Sequence, residues 1–407
     1  MNISRSAAAL AAATAVLFVA GAPAAMADET PSSSAPPAAL PSGLYGKKDP
    51  KFDGVFRQSY ALLAQDTVGV KPAAKAVDWL TAQQCDSGGF APFRADPSEP
   101  CDSKAPVEAD ATAAAVQALS ALGGQDKTVK KAVAWLKSVQ NQDGGWGYNP
   151  GLPSSANSTG IVVGALVAAG EKPAEVKSQK GKSAYDALPQ LSMDCKDGEG
   201  AFGLADFKTG KLAPNADATA AGVLGSLGQG LVVKAADQQS AAKCAKADDV
   251  EQAAKNGAAY LASTLGKDGD HLMSAMPGAK DLPDFGNTAD SVVALAAAGL
   301  TDQAKKSSDW LAKNAADWAK ESGPAAYSQL IFAAHAAGAD PKNFGGTDLV
   351  KALNATGPAP EKAAASEEKK DEKDDSGISV WWIVGVGLVA GIGIGFLFSG
   401  RNKKNQL

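Results

Sequence analysis

The stretch ADATAAAVQALSALG at residues 109–123 decides how this chain folds. It holds one charged residue, no aromatic and no proline, and its alanines favour helix. A helix that is apolar nearly all round is a buried one. Thr112 stands eleven residues before Gly123, and the same spacing recurs at Thr159 and Gly170, Thr219 and Gly230, and Thr288 and Gly299. Such a register marks one supersecondary unit stacked on copies of itself.

Outward from this stretch the pattern predicts two series of six helices. The inner series, small and nearly uncharged, covers 52–65, 109–122, 158–169, 216–227, 288–298 and 324–337. The outer series, amphipathic and charged, covers 72–84, 128–140, 183–193, 248–264, 302–320 and 340–353. Outer segments carry an aromatic at one position (Trp79, Trp135, Tyr185, Tyr260, Trp310), followed by leucine at Leu80, Leu136, Leu261 and Leu311. Six polar-backed helices around six buried ones make a closed double ring, so the fold class is all-α.

Two outer segments end in a common motif: Gln84-Cys-Asp-Ser-Gly88-Gly89-Phe90 and Gln140-Asn-Gln-Asp-Gly144-Gly145-Trp146, with degenerate copies at 197–202 and 267–270. Glycine turns the chain, the ring packs on the next repeat, and glutamine bonds free backbone groups at a helix end. The motif and the threonine–glycine register resemble the prenyltransferase and squalene-hopene cyclase repeat superfamily. That resemblance implies an (α/α)6 toroid of six inner and six outer helices.

The same toroid serves several chemistries, so the reaction has to be sought in residues. Zinc-dependent protein prenyltransferases need an Asp-x-Cys pair and a distant histidine; here no Asp-x-Cys occurs, and the histidines are His271 and His335 alone. No metal and no cofactor is expected. Cyclases of the superfamily open one inner helix with D-x-D-D-T-A. The matching segments, Glu108-Ala-Asp110-Ala-Thr112-Ala113 and Asn215-Ala-Asp217-Ala-Thr219-Ala220, keep the middle acid and lack its acidic neighbours. Asp110 and Asp217 are therefore weak catalytic candidates, and their shared register with Asn157 reads first as N-capping. Four inner helices carry no aromatic residue; the inner wall gains them at Phe52, Phe56, Tyr60, Tyr327 and Phe332, with further aromatics on the motif loops. No C-G-E-Q thioester motif is present.

These features favour a non-catalytic binding protein over an enzyme. Six helix starts converging on one mouth give free backbone donors and a positive field. The ligand-binding candidates are Glu108, Asp110, Trp146, Tyr148, Asn157, Asn215, Asp217, Asn287 and Asp290. The toroid of extracellular cobalamin carriers looks similar in architecture, which points to a small-molecule ligand captured for an uptake system as partner. The alternatives are a prenyltransferase or terpene and squalene cyclase-like enzyme, and a structural surface module.

The ends of the chain set its expected location. Residues 1–27 read as a secretory signal peptide, with Arg5, an apolar run and an A-x-A site at 25–27. A linker at 28–50 and a charged one at 355–377 read as disordered, flanking the toroid at 51–354. Residues 378–398 are uncharged and long enough to span a bilayer, opening with Trp381 and Trp382 and followed by Arg401, Lys403 and Lys404. Positive flanks put the 399–407 tail in the cytoplasm and the toroid outside, on a single-pass membrane anchor. Four cysteines in a secreted context favour disulfides, and the nearest pairs are Cys85 with Cys101 and Cys195 with Cys244. A net charge of −5 without a basic patch gives no nucleic-acid partner.

Overall fold

The computed structural model of the protein describes residues 40–101, 106–205, 211–274 and 282–361. The predicted signal peptide, span and cytoplasmic tail lie outside them, as does most of both linkers. Among the described residues no helix is long and apolar enough to cross a membrane.

Six helices form the inner ring: α1 (Gly54–Thr67), α3 (Ala109–Leu122), α5 (Ala156–Ala168), α8 (Ala216–Ser226), α10 (Phe285–Ala297) and α13 (Pro324–Ala337). Each packs on the next, and α13 packs back on α1, so the all-α ring closes. The outer layer is α2 (Ala74–Ala82), α4 (Asp126–Ser138), α6 (Ala184–Leu191), α9 (Val250–Lys267), α11 (Thr301–Asn314) and α14 (Leu349–Asn354), with the short α7 (Cys195–Gly198) and α12 (Ala316–Ser322) between them. Leu80, Leu136, Leu261 and Leu311 have no exposed surface, so the leucine after each outer aromatic is the side chain that seals the two layers together. Small residues set the spacing of the inner ring: a Cβ on Gly160 of α5 would meet the Ala221 carbonyl of α8.

The repeat motif works through its backbone. Gln84 Nε2 donates to the Gly88 and Thr128 carbonyls, both at 2.8 Å, and Gln140 Nε2 donates to the Gly144 carbonyl at 2.8 Å. Gly144 has φ +95° and lies against the Ser183 carbonyl, so it needs both the left-handed conformation and the missing side chain. Each register threonine clamps the loop to its inner helix. Thr112, Thr159 and Thr219 Oγ1 accept from the backbone N–H of Phe90, Trp146 and Phe202, and Thr288 Oγ1 accepts from that of Leu272, at 2.8–3.0 Å. Leu272 thus takes the place of the aromatic in the fourth repeat.

Several boundaries differ from the sequence reading. The outer segment 302–320 breaks at Ala315 into α11 and α12; as one straight helix it would run about 28 Å, longer than the 14-residue inner helix α13 beside it. The segment 340–353 is helical only from Leu349, because Pro341 and the left-handed Gly345 and Gly346 interrupt it. In the third threonine–glycine pair the left-handed glycine is Gly228, not Gly230. Two antiparallel hairpins, β1 (Gly203–Ala205) with β2 (Leu212–Pro214) and β3 (Leu272–Met273) with β4 (Pro283–Asp284), lead into α8 and α10, where no strand was expected. The inner edges of both linkers belong to the ring: Tyr45 is fully buried, and its hydroxyl donates within 3.1 Å to Gln65 Oε1 and to the Pro358 carbonyl.

Both disulfides, Cys85–Cys101 and Cys195–Cys244, are formed. The second anchors the long connection 227–249. That connection crosses the far end of the ring, where the Leu231 N–H donates to Gln117 Oε1 of α3 at 2.9 Å.

Candidate functional site

The inner helices start at one end of the ring, and their first turns surround a chamber of about 210 Å³. Asp110, Asn157 and Asp217 are each the second residue of their helix. They do not cap, which corrects the expectation drawn from their register. The capping side chains lie two residues earlier or elsewhere: Ser155 accepts from the Ser158 N–H, Asn215 from that of Ala218 and Asp284 from that of Asn287. Freed from capping, Asp110, Asn157 and Asp217 turn into the chamber, where Asp290 of α10 joins them.

These polar groups link neighbouring helices around the ring. Asn157 Nδ2 of α5 donates to Asp217 Oδ2 of α8. Gln329 Nε2 of α13 donates to both oxygens of Asp290, at 3.2 and 3.0 Å. The Ser158 hydroxyl of α5 reaches Asp110 of α3. Two acceptors stay buried with no hydrogen-bond partner, Asp110 Oδ1 and Asn157 Oδ1. None of the three carboxylates forms an ion pair among the described residues.

Burial without a counter-charge moves these acids upward. Desolvation raises the Asp110 carboxyl to about 7, opposed by the Ser158 hydrogen bond and reinforced by the Asp217 charge. Asp290 also rises to about 7, from burial first and the Asp217 charge second. Asp217 moves the same way through burial, against the Asn157 hydrogen bond. The Tyr60 phenol is pushed well above its usual range by burial and then by the charges of Asp290, Asp217 and Asp110.

An aromatic wall lines the same chamber as the acids. Phe56 and Tyr60 of α1 lie 4.5 Å apart between ring centroids, and Phe332 of α13 meets Tyr60 edge-on at 5.6 Å. All three line the chamber. The sequence had flagged them as inner-wall aromatics without connecting them to the acids, which lie far away along the chain. Phe52, by contrast, is 84% exposed and leaves the wall.

The other candidates sit elsewhere. Trp146 is buried in the core with its indole N–H donated to the Leu136 carbonyl at 2.8 Å, so it is closed to a ligand. Asn215 is a helix cap, and Asn287 Nδ2 donates to Asp284 Oδ2 at 2.7 Å. Glu108 and Tyr148 pair beside the chamber: burial raises Glu108 to about 7 against its Tyr148 hydrogen bond, and Tyr148 stays partly exposed. His271 stacks on Trp310 at 4.2 Å, away from the acids. No group of three or more His, Cys, Asp or Glu among the described residues is placed to hold a metal ion.

The family described as squalene-hopene cyclase C-terminal domain matches residues 109–183, which run from the start of α3 to the end of the second intact motif loop and on to the cap of α6. No curated protein matches the chain in sequence. Among solved structures the chain is similar to a crystal structure of a protein from Actinoplanes, with 15% identity and a TM-score of 0.47, covering 73% of this chain and 94% of that one. It is also similar to the apo structure of the type II terpene cyclase MstE from Scytonema, with 14% identity and a TM-score of 0.41, covering 67% of this chain and 74% of that one. The family match falls within a closed helical ring, so residues 109–183 of this toroid are similar to the squalene-hopene cyclase C-terminal domain.

Proposed function

We propose that this toroid is a binding protein that holds a small molecule in its central chamber without transforming it. The observation that carries the reading is the state of the three acids. Asp110 and Asp290 titrate near 7, and Asp217 is shifted the same way. A carboxyl that titrates near 7 suits general acid chemistry as well, so the reading rests on how the acids are held. Asp217 and Asp290 are tied to amides, an arrangement that fixes a shape more readily than it delivers a proton. The chamber of about 210 Å³ is below the roughly 300–1,000 Å³ of drug-sized ligand sites, which argues for a ligand much smaller than a corrinoid.

The location belongs to the same proposal. The signal-like start, the uncharged segment at 378–398 with its basic tail and the two disulfides support a toroid displayed outside the cell, supplying an uptake system.

A second reading, a cyclase-like enzyme on a short isoprenoid, has one observation in its favour: the aromatic wall of Phe56, Tyr60 and Phe332 shares the chamber with the acids, as a site for a carbocation requires. Mass spectrometry of small molecules released from the purified full chain separates the two. An unmodified ligand recovered in stoichiometric amount is expected; conversion of a supplied prenyl alcohol or prenyl diphosphate, abolished by Asp110→Asn, would overturn the binding reading.

A further inference from the structure

The chamber has a chemical polarity of its own. Its two orphaned polar atoms, Asp110 Oδ1 and Asn157 Oδ1, are both acceptors, so whatever completes the site must bring hydrogen-bond donors. Asn157 gives its nitrogen to the Asp217 carboxylate, which leaves its oxygen as the unpartnered atom. No lysine or arginine lines the space, although three carboxyl groups do. Buried acids without a counter-charge are costly, and a bound cation removes that cost.

The kind of cation follows from the layout. The acids come from α3, α8 and α10, and no three acidic or metal-binding side chains among the described residues converge on one point. A metal ion, which needs its oxygens gathered within a few ångströms, does not suit this spread. A molecule with an apolar body does. One side of the chamber offers the faces of Phe56, Tyr60 and Phe332, which favour both hydrocarbon and positive charge. At about 30 Å³ per water, 210 Å³ holds roughly seven water-sized groups, the scale of a short alkyl chain with an amine at one or both ends.

Resting on the binding reading above, we propose that the chamber takes a small organic cation carrying N–H donors, an alkylammonium or guanidinium. Its charged end sits between Asp110, Asn157 and Asp217, and its body lies on the aromatic wall. Asp290, tied to Gln329, supplies the third negative group on the far side.

Calorimetric titration of the full chain in detergent at pH 8 tests this with four probes of similar size: putrescine, tetramethylammonium, 1,4-butanediol and succinate. The expected order is putrescine tightest, tetramethylammonium at least tenfold weaker for want of N–H donors, and no binding of the diol. Asp110→Asn is expected to weaken putrescine at least tenfold, with the melting transition confirming that the ring is folded. Equal or tighter binding of the diol, or of the dianion succinate, overturns the cation assignment while leaving a binding protein. Failure of putrescine and tetramethylammonium to bind a cooperatively melting chain also overturns it. Turnover of any bound molecule would instead remove the binding reading itself.

Discussion

Four of the six inner helices carry polar residues on two faces, and the two faces are treated in opposite ways. Residues two apart on a helix point about 200° apart. Thr112, Thr159, Thr219 and Thr288 therefore face outward to the motif loops, while Asp110, Asn157, Asp217 and Asp290, each two positions away, face the chamber. The threonines are satisfied: Thr219 Oγ1 accepts from Phe202 N–H and donates to the Asn215 carbonyl at 2.6 Å. In the inward set, Asp110 and Asn157 each keep one oxygen without a partner. The clamping threonines are saturated because an unmet buried group costs stability; an unmet group facing a cavity is where a ligand gains affinity.

Breaking the outward face should cost most. Trp146→Ala removes a fully buried ring and its hydrogen bond to Leu136, for an expected loss of about 3–5 kcal/mol in chemical denaturation. Ligand affinity of the fraction that stays folded should not change, since Trp146 does not reach the chamber. If affinity falls before stability does, the two faces are not independent.

Thr219→Val is a gentler cut at the same face. Valine keeps the shape and deletes the hydroxyl, stranding the Phe202 N–H in a buried site at an expected cost of about 1–3 kcal/mol. The readout is the midpoint of urea unfolding beside an unchanged binding isotherm. A loss well under 1 kcal/mol would mean that the Phe202 loop finds another acceptor and that the threonine register is not what fastens the loops.

The outward face was the part legible in the sequence. The threonine–glycine spacing and the Gln-to-aromatic motif are local, each repeated, and each has one physical job, so ring and layer order follow from them, while the disulfide pairing came from taking nearest cysteines together. The chamber was legible only in pieces. Asp110, Asn157 and Asp217 announced a shared register, but two residues of helix start separate a cap from a side chain that turns inward, and Ser155 and Asn215 were equally good caps. Gln329, the partner of Asp290, lies 39 residues away and carries no pattern at all. Phe56, Tyr60 and Phe332 were visible as inner-helix aromatics, yet only ring closure between α1 and α13 gathers them into one wall of the chamber that the acids share.

The smallest expected effect sharpens the comparison most, because its sign differs from the other two. Asp110 and Asp290 titrate near 7 in the folded ring and near 3.9 in the unfolded chain, with Asp217 shifted the same way. The folded state therefore holds these protons more tightly. Their contribution to stability is complete below about pH 4 and is lost as pH rises through about 7. The ligand-free ring should accordingly unfold at lower urea at pH 8 than at pH 5. Asp110→Asn keeps the volume and removes one of the titrations, so the variant should show a shallower pH dependence and, at pH 8, a gain of about 1 kcal/mol, well below the ceiling of ~1.4 kcal/mol per tenfold change in acidity because the neighbouring Ser158 and entering water soften the penalty. Measured below about pH 4, where the carboxyl is protonated in the folded and the unfolded chain alike, the two proteins should be nearly equal. A loss of stability at pH 8 would place Asp110 with the threonines, as a strut between α3 and α5, and the inward face would then be structural as well.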